Sequence, residues 1–216
     1  MKSTFSLDLF TQMPLIGIMR NVPDEHIDII AEKYYEAGLT CLEITLNSPN
    51  AERNIKKLVD RYGHVLNIGA GTVCDITDLE KATAAGANFI VTPIINEDVI
   101  KTCVAKKIPI FPGAYTPSEI YKAWSLGATL VKLFPAGDLK PNYIKEVLAP
   151  LQQIKLLPTG GINLDNFTSY LIAGAKGVGI GSHLFPKHVI EQQDWLALSR
   201  IYSAFVKRYN DFMAGK

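Results

Sequence analysis

Short apolar runs alternate with amphipathic stretches along the whole chain. The runs are "PLIGIM" at 14 to 19, "CLEIT" at 41 to 45, "LNIGA" at 66 to 70, "NFIVT" at 88 to 92, "IPIF" at 108 to 111, "TLVKLF" at 129 to 134, "IKLLP" at 154 to 158 and "GVGIG" at 177 to 181. Each is too short for a helix and carries β-branched or aromatic residues, so eight strands are predicted. Four of the joins share one grammar, in "YYEAGLTCLEI", "ATAAGANFIVT", "AWSLGATLVKL" and "YLIAGAKGVGI". A helical pattern ends on a glycine, two residues follow, and a strand begins. Glycine supplies the left-handed helix cap at low steric cost. These glycines, Gly38, Gly86, Gly127 and Gly174, recur at roughly twice the length of one strand-plus-helix unit, the mark of repeated βα units.

Helix starts are legible too. Thr116, Pro117 and Glu119 read as a capping box with proline at the first helical position, and Asn96 precedes the acidic pair Glu97 and Asp98. Near-continuous apolar strands separated by helices imply a parallel sheet covered on both faces. Eight such units fit a single α/β domain, a (β/α)8 TIM barrel over 14–185, with a short N-terminal helix within 1–13 and a C-terminal helix at 186–216. An open doubly wound sheet is the structural alternative. The barrel is preferred because no glycine fingerprint follows the first strand, where an open dinucleotide fold would need one.

Composition narrows the function classes. The chain has 216 residues, 48% of them hydrophobic, with 22 basic and 21 acidic side chains, and no cluster of Lys and Arg. A nucleic-acid surface is not expected from that balance. The three cysteines, Cys41, Cys74 and Cys103, are too far apart for a metal knuckle or a disulfide framework, which fits a reducing, cytoplasmic setting. The start "MKSTFSLDLFTQMP" lacks the uninterrupted apolar core of a signal peptide, and no run approaches the roughly 20 apolar residues of a membrane span. His26, His64, His183 and His188 are scattered without ligand spacing, so a metal-dependent mechanism is not expected.

Barrel chemistry gathers at the C-terminal ends of the strands. Lys132 interrupts the sixth strand, flanked by Val131, Leu133 and Phe134. Its stem could snorkel out from a strand edge. Inside the barrel, burial would depress its pKa and leave the neutral amine that Schiff-base chemistry with a ketone requires. Glu43 poses the same choice in the second strand: an edge position facing solvent, or a carboxylate inside the barrel. Alternation puts Leu42, Ile44 and Leu46 on one face and Glu43, Thr45 and Asn47 on the other, so a polar set points inward if the aliphatic set meets the helices. A carboxylate there suits a proton shuttle.

The segments "LPTGGIN" and "GVGIGS" follow strands seven and eight. Their glycines serve tight turns, or let backbone N–H groups and a helix N-terminus close on a phosphate. Thr159, Gly160, Gly161, Gly181 and Ser182 stand at these strand ends, so the ligand is expected to carry a phosphate or another compact anion. Arg20, after the first strand, is a surface side chain or a fork for a substrate carboxylate, with Thr72 as a hydroxyl donor and Pro93 at the end of strand four.

Together these residues resemble the family of 2-keto-3-deoxy-6-phosphogluconate (KDPG) and 4-hydroxy-2-oxoglutarate (KHG) aldolases. The segments that carry the resemblance are "EITLNSP" at 43 to 49, "IGAGTV" at 68 to 73, "FIVTP" at 89 to 93, "PGAYTPSE" at 112 to 119, "VKLFPA" at 131 to 136, "PTGGIN" at 158 to 163 and "GVGIGS" at 177 to 182. The resemblance implies a homotrimeric barrel and a class I mechanism without metal or cofactor. Lys132 matches the Schiff-base lysine and Glu43 the acid/base glutamate. Thr72, Thr159, Gly160, Gly161 and Ser182 match substrate contacts, and Phe134 and Pro93 match pocket walls.

Some members carry an arginine four residues after the glutamate, where this chain has Asn47, so the carboxylate duty is expected to fall to Arg20. The implied reaction is cleavage of the phosphorylated keto acid KDPG to pyruvate and glyceraldehyde 3-phosphate, with KHG as a further substrate. The "LNSP" segment also resembles the branch acting on the galactonate epimer. A phosphosugar isomerase or epimerase on the same barrel is the alternative enzyme.

Overall fold

A computed structural model describes residues 4–215. The chain alternates strands and helices from β1 (Leu15–Met19) through α2 (Ile27–Glu36), β2 (Cys41–Thr45), α3 (Ala51–Tyr62), β3 (Asn67–Gly71), α4 (Ile76–Ala84), β4 (Phe89–Val91) and α5 (Glu97–Ala105). The fifth strand is split by Pro112, which has no N–H for the ladder, into β5 (Ile110–Phe111) and β6 (Gly113–Ala114). Then follow α6 (Pro117–Ser125), β7 (Val131–Leu133), α7 (Pro141–Leu148), β8 (Leu156–Pro158), α8 (Phe167–Ile172), β9 (Val178–Ile180), α9 (Lys187–Glu191) and α10 (Trp195–Ala214).

All strand pairs are parallel. One sheet runs β5-β4-β3-β2-β1-β9 and a second β6-β7-β8. The two are continuous through Pro112 and meet again at a bridge between Thr159 and Gly179. A curled α/β sheet results, in the sequence order expected of a barrel. The expected helix signals are all present: Thr116 and Glu119 cap each other reciprocally, Asn96 accepts from the N–H groups of Asp98 and Val99, and Gly38, Gly86, Gly127 and Gly174 have positive φ.

The N-terminal helix, α1, spans Leu7–Gln12; residues 1–3 of the expected segment lie outside the described residues. It closes one end of the barrel. Ser6 N–H donates to Asn67 Oδ1 (2.7 Å) and Asn67 Nδ2 returns a bond to the Ser6 carbonyl (2.8 Å). Phe10 packs with Ile16, Cys41, Phe89, Val91, Phe111, Leu130 and Leu157 in an apolar cluster, against which Phe5 lies. These are the inward positions of their strands, while Leu15, Met19, Leu42 and Ile44 join the larger cluster with the helices. The inner layer at the N-terminal end is therefore apolar. The next inward positions, Glu43, Thr45, Lys132 and Thr159, are polar and still buried.

Candidate active site

Strand alternation settles the two open orientations. Lys132 and Glu43 are 5% and 2% exposed, so neither reaches solvent from an edge. Glu43 pairs with Gly69 on β3, and Lys132 with Gly113 on β6. Lys132 Nζ lies 4.7 Å from the centroid of the Phe134 ring. Among the described residues the ion pairs join exposed or half-exposed side chains, and Lys132 is in none of them.

Burial dominates the ionisation of both groups. It pushes the Glu43 carboxyl above the usual range, with the charges of Lys132 and Arg20 pulling the other way. It pulls the Lys132 amine down, opposed by Glu43 and reinforced by Arg20. The pair is thus drawn toward a neutral acid beside a neutral amine, one able to donate a proton and the other able to attack a carbonyl.

Glu43 reaches its position because β3 offers no side chain there. A Cβ on Gly71 would overlap the Glu43 carboxyl. Thr72 follows directly, with φ of 59°, a left-handed conformation uncommon for threonine. On the opposite side the Pro93 backbone presses on Gly113, the ladder partner of Lys132, leaving no room for a Cβ. Thr72 and Pro93 therefore sit beside the Glu43–Lys132 centre.

A cavity of about 660 Å³ opens next to this centre. Of the sequence-derived residues, Arg20, Phe134, Thr159, Gly160, Gly161, Gly181 and Ser182 line it. Glu43, Lys132, Thr72 and Pro93 do not, and Phe134 is the wall shared by cavity and lysine. Gly160 and Gly161 have φ of 92° and 71°, and the Gly161 carbonyl accepts from Asn166 Nδ2 at 2.9 Å. Among the described residues the N–H groups of Gly160, Gly161, Ser182 and His183 donate to no protein acceptor. The helix after strand eight, α9, begins at Lys187, which lines the same cavity. Before it a single turn forms, with Leu184 and Phe185 both donating to the Gly181 carbonyl.

Sequence reasoning missed Ile18, Val22, His183, Phe185 and Lys187, which also line the cavity. Ile18 was recoverable, since it pairs with Glu43 in the β1–β2 ladder. Val22, His183 and Phe185 lie on loops whose course no periodicity reports, and Lys187 opens the short α9.

Burial raises the pKa of all three cysteine thiols. Burial pushes Cys41 up to about 11 and Cys103 up to about 12. Among the described residues no group of three His, Cys, Asp or Glu side chains could hold a metal ion. No described helix is long and apolar enough to cross a membrane.

A parallel α/β barrel with a buried lysine and glutamate beside a glycine-lined cavity is the frame of a pyruvate aldolase. The chain belongs to the KDPG and KHG aldolase family, a class I pyruvate aldolase family, whose profile matches residues 8–201. It is 35% identical over 203 residues to the 2-dehydro-3-deoxy-6-phosphogalactonate aldolase of Escherichia coli (strain K12), covering 93% of this chain and 97% of that protein. It is also 35% identical over 201 residues to the 2-dehydro-3-deoxy-phosphogluconate aldolase of Pseudomonas aeruginosa (strain PAO1), covering 91% and 88%. Among solved structures it matches a KDPG aldolase from Legionella pneumophila, with pyruvate captured as a covalent carbinolamine, at TM-score 0.83 and 29% identity over 91% of this chain and 96% of that one.

Proposed function

We propose that this protein cleaves KDPG to pyruvate and glyceraldehyde 3-phosphate through a Schiff base on Lys132. The observation that carries the reading is a lysine amine held unpaired and nearly dry, next to a buried carboxyl. The Lys132 amine adds to the C2 ketone to give a carbinolamine, and loss of water gives an iminium. Glu43, ionised by giving its proton to the departing hydroxyl in that dehydration, accepts the proton of the C4 hydroxyl as the C3–C4 bond breaks and its electrons move into the iminium. Glyceraldehyde 3-phosphate leaves. Glu43, directly or through water, returns the proton to the enamine carbon, and hydrolysis frees pyruvate and the lysine. Capture of a carbinolamine by the Legionella relative supports this chemistry.

Arg20 binds the substrate carboxylate in this reading, and the donors of Gly160, Gly161, Ser182 and His183 bind the phosphate. Thr72, Pro93, Phe134, Thr159 and Gly181 shape the pocket. Asn47, which takes the place of an arginine in some members, is exposed.

A second reading, the galactonate epimer, rests on the "LNSP" segment and on the likeness to the E. coli 6-phosphogalactonate enzyme. KHG belongs to the same scheme, since its cleavage uses the same carboxylate fork and lysine. A homotrimer in the cytoplasm completes the reading; exposed Ile94, Tyr115 and Tyr121, on neighbouring loops and α6, offer apolar surface for association.

The deciding experiment is borohydride reduction in the presence of pyruvate, with the adduct mapped by mass spectrometry. An adduct on Lys132 is expected. No adduct, or one elsewhere, overturns the mechanism. Pyruvate release from the two epimers side by side, coupled to lactate dehydrogenase, assigns the substrate, and light scattering tests the trimer.

A further inference from the structure

We infer that Thr45 and Ser48 are positioning residues, whose two hydroxyls clasp the backbone on either side of Arg20 and hold it to the strand that carries Glu43. The inference rests on the reading of Arg20 as the fork for the substrate carboxylate.

The clasp is a one-way chain of hydrogen bonds. Asn21 N–H donates to Ser48 Oγ at 2.9 Å. The two hydroxyl oxygens lie 3.0 Å apart. Thr45 Oγ1 donates to the Met19 carbonyl at 3.5 Å. The Met19 carbonyl can only accept and the Asn21 N–H can only donate, so the direction is fixed: Ser48 must donate to Thr45. Each hydroxyl then donates once and accepts once. Arg20 is the single residue between the two ends.

Two further features tie this chain to the site. Thr45 lies two residues beyond Glu43 on β2 and shares its inward face, so the clasp couples Arg20 to the strand holding the carboxyl. Ser48 is fixed to the same strand by its N–H, which donates to the Thr45 carbonyl at 3.0 Å. Asn21, immediately after the arginine, has φ of 52°, a left-handed turn that asparagine adopts readily and that aims its N–H at Ser48. The Arg20 side chain is exposed, so its aim depends on where its backbone is held.

The same loops are joined a second time further out. Asp24 accepts from Asn50 Nδ2 at 2.6 Å and from Asn54 Nδ2 at 2.8 Å. That tether does not touch the neighbours of Arg20. It will keep the loops together when the hydroxyls are removed, so their effect on the arginine can be measured in a folded protein.

The test uses Thr45→Val, Ser48→Ala and Ser48→Thr, each alone and in an Arg20→Ala background. Thr45→Val and Ser48→Ala are each expected to raise KM for the phosphorylated keto acid about tenfold with kcat within about twofold, because a carboxylate fork contributes uniform binding. Ser48→Thr, which retains the hydroxyl, should restore KM. In the Arg20→Ala background the hydroxyl variants should add nothing further. If Arg20→Ala raises KM but the hydroxyl variants do not, or if the effects simply add, the clasp is overturned while the carboxylate reading stands. If Arg20→Ala leaves KM unchanged, the carboxylate reading fails and takes the clasp with it. Should Thr45→Val not fold, Ser48→Ala in the half-buried loop carries the same comparison.

Discussion

The Glu43 carboxyl rests on the bare backbone of Gly71. A methyl group on that residue would occupy the space of the carboxyl. The contact crosses two adjacent strands, since Glu43 pairs with Gly69 and Gly71 follows two residues later on the same face. A buried acid therefore has one place to go, above β3 and within electrostatic reach of Lys132 and Arg20.

Gly71→Ala tests this relationship. Gly71 has no unusual φ, so alanine is tolerated by the backbone and only the carboxyl must move. A displacement of about 1 Å at a catalytic group costs on the order of 10²-fold in rate. A fall of that size in kcat is expected, with the far-ultraviolet circular dichroism retained. Unchanged kcat would show that Glu43 need not occupy this position.

The pH dependence of borohydride trapping reads the charges around Lys132. Burial lowers its pKa, so trapping should reach half its maximum below the ordinary lysine value of about 10.4. Glu43 raises that pKa and Arg20 lowers it. Glu43→Gln removes the anion and should move the midpoint to lower pH, while Arg20→Met removes a cation and should move it to higher pH. Shifts in the opposite directions would contradict the arrangement.

The same lysine should be a liability for stability. Its folded pKa lies below its unfolded one, so within that window the unfolded chain binds more protons and stability rises with pH. The penalty is complete below the folded value and absent above the unfolded value of about 10.4. Lys132→Met removes it. The variant should form no pyruvate adduct and should melt higher than the wild type at pH 7, by about 2–4 °C per kcal/mol recovered. The gain should shrink toward pH 10. A variant that melts lower at pH 7 would mean that the ammonium is well compensated in the native state.

Gly161→Ala separates the anion cradle from the lysine. Its φ is 71° and an added Cβ would lie 2.5 Å from the Gly137 Cα, so the loop must shift. KM for the phosphorylated substrate should rise about tenfold or more, since each misaligned charge-assisted bond costs about 1.5–3 kcal/mol. Pyruvate trapping on Lys132 should continue. Loss of both would place Gly161 in the scaffold of the whole mouth.

The apolar runs, the capping signals and the four helix-ending glycines fix the order of the elements, because they depend on short-range backbone preferences carried by each segment. Alternation in "CLEIT" also separates Glu43 from its aliphatic neighbours. It does not say which face is inside. Closure of the sheet decides that, by turning the polar set of β2 toward Lys132 on a strand 89 residues further along the chain. The anion loop shows the same limit: its glycines are visible in the sequence, but the single turn at Gly181–Phe185 and the free N–H groups beside it arise from hydrogen bonds made in the folded chain. Arg20 is the clearest case. The sequence supplies an arginine at the end of a strand, and only the hydrogen bonds of its neighbours to Thr45 at the end of β2 and to Ser48 on the following loop determine where its backbone stands.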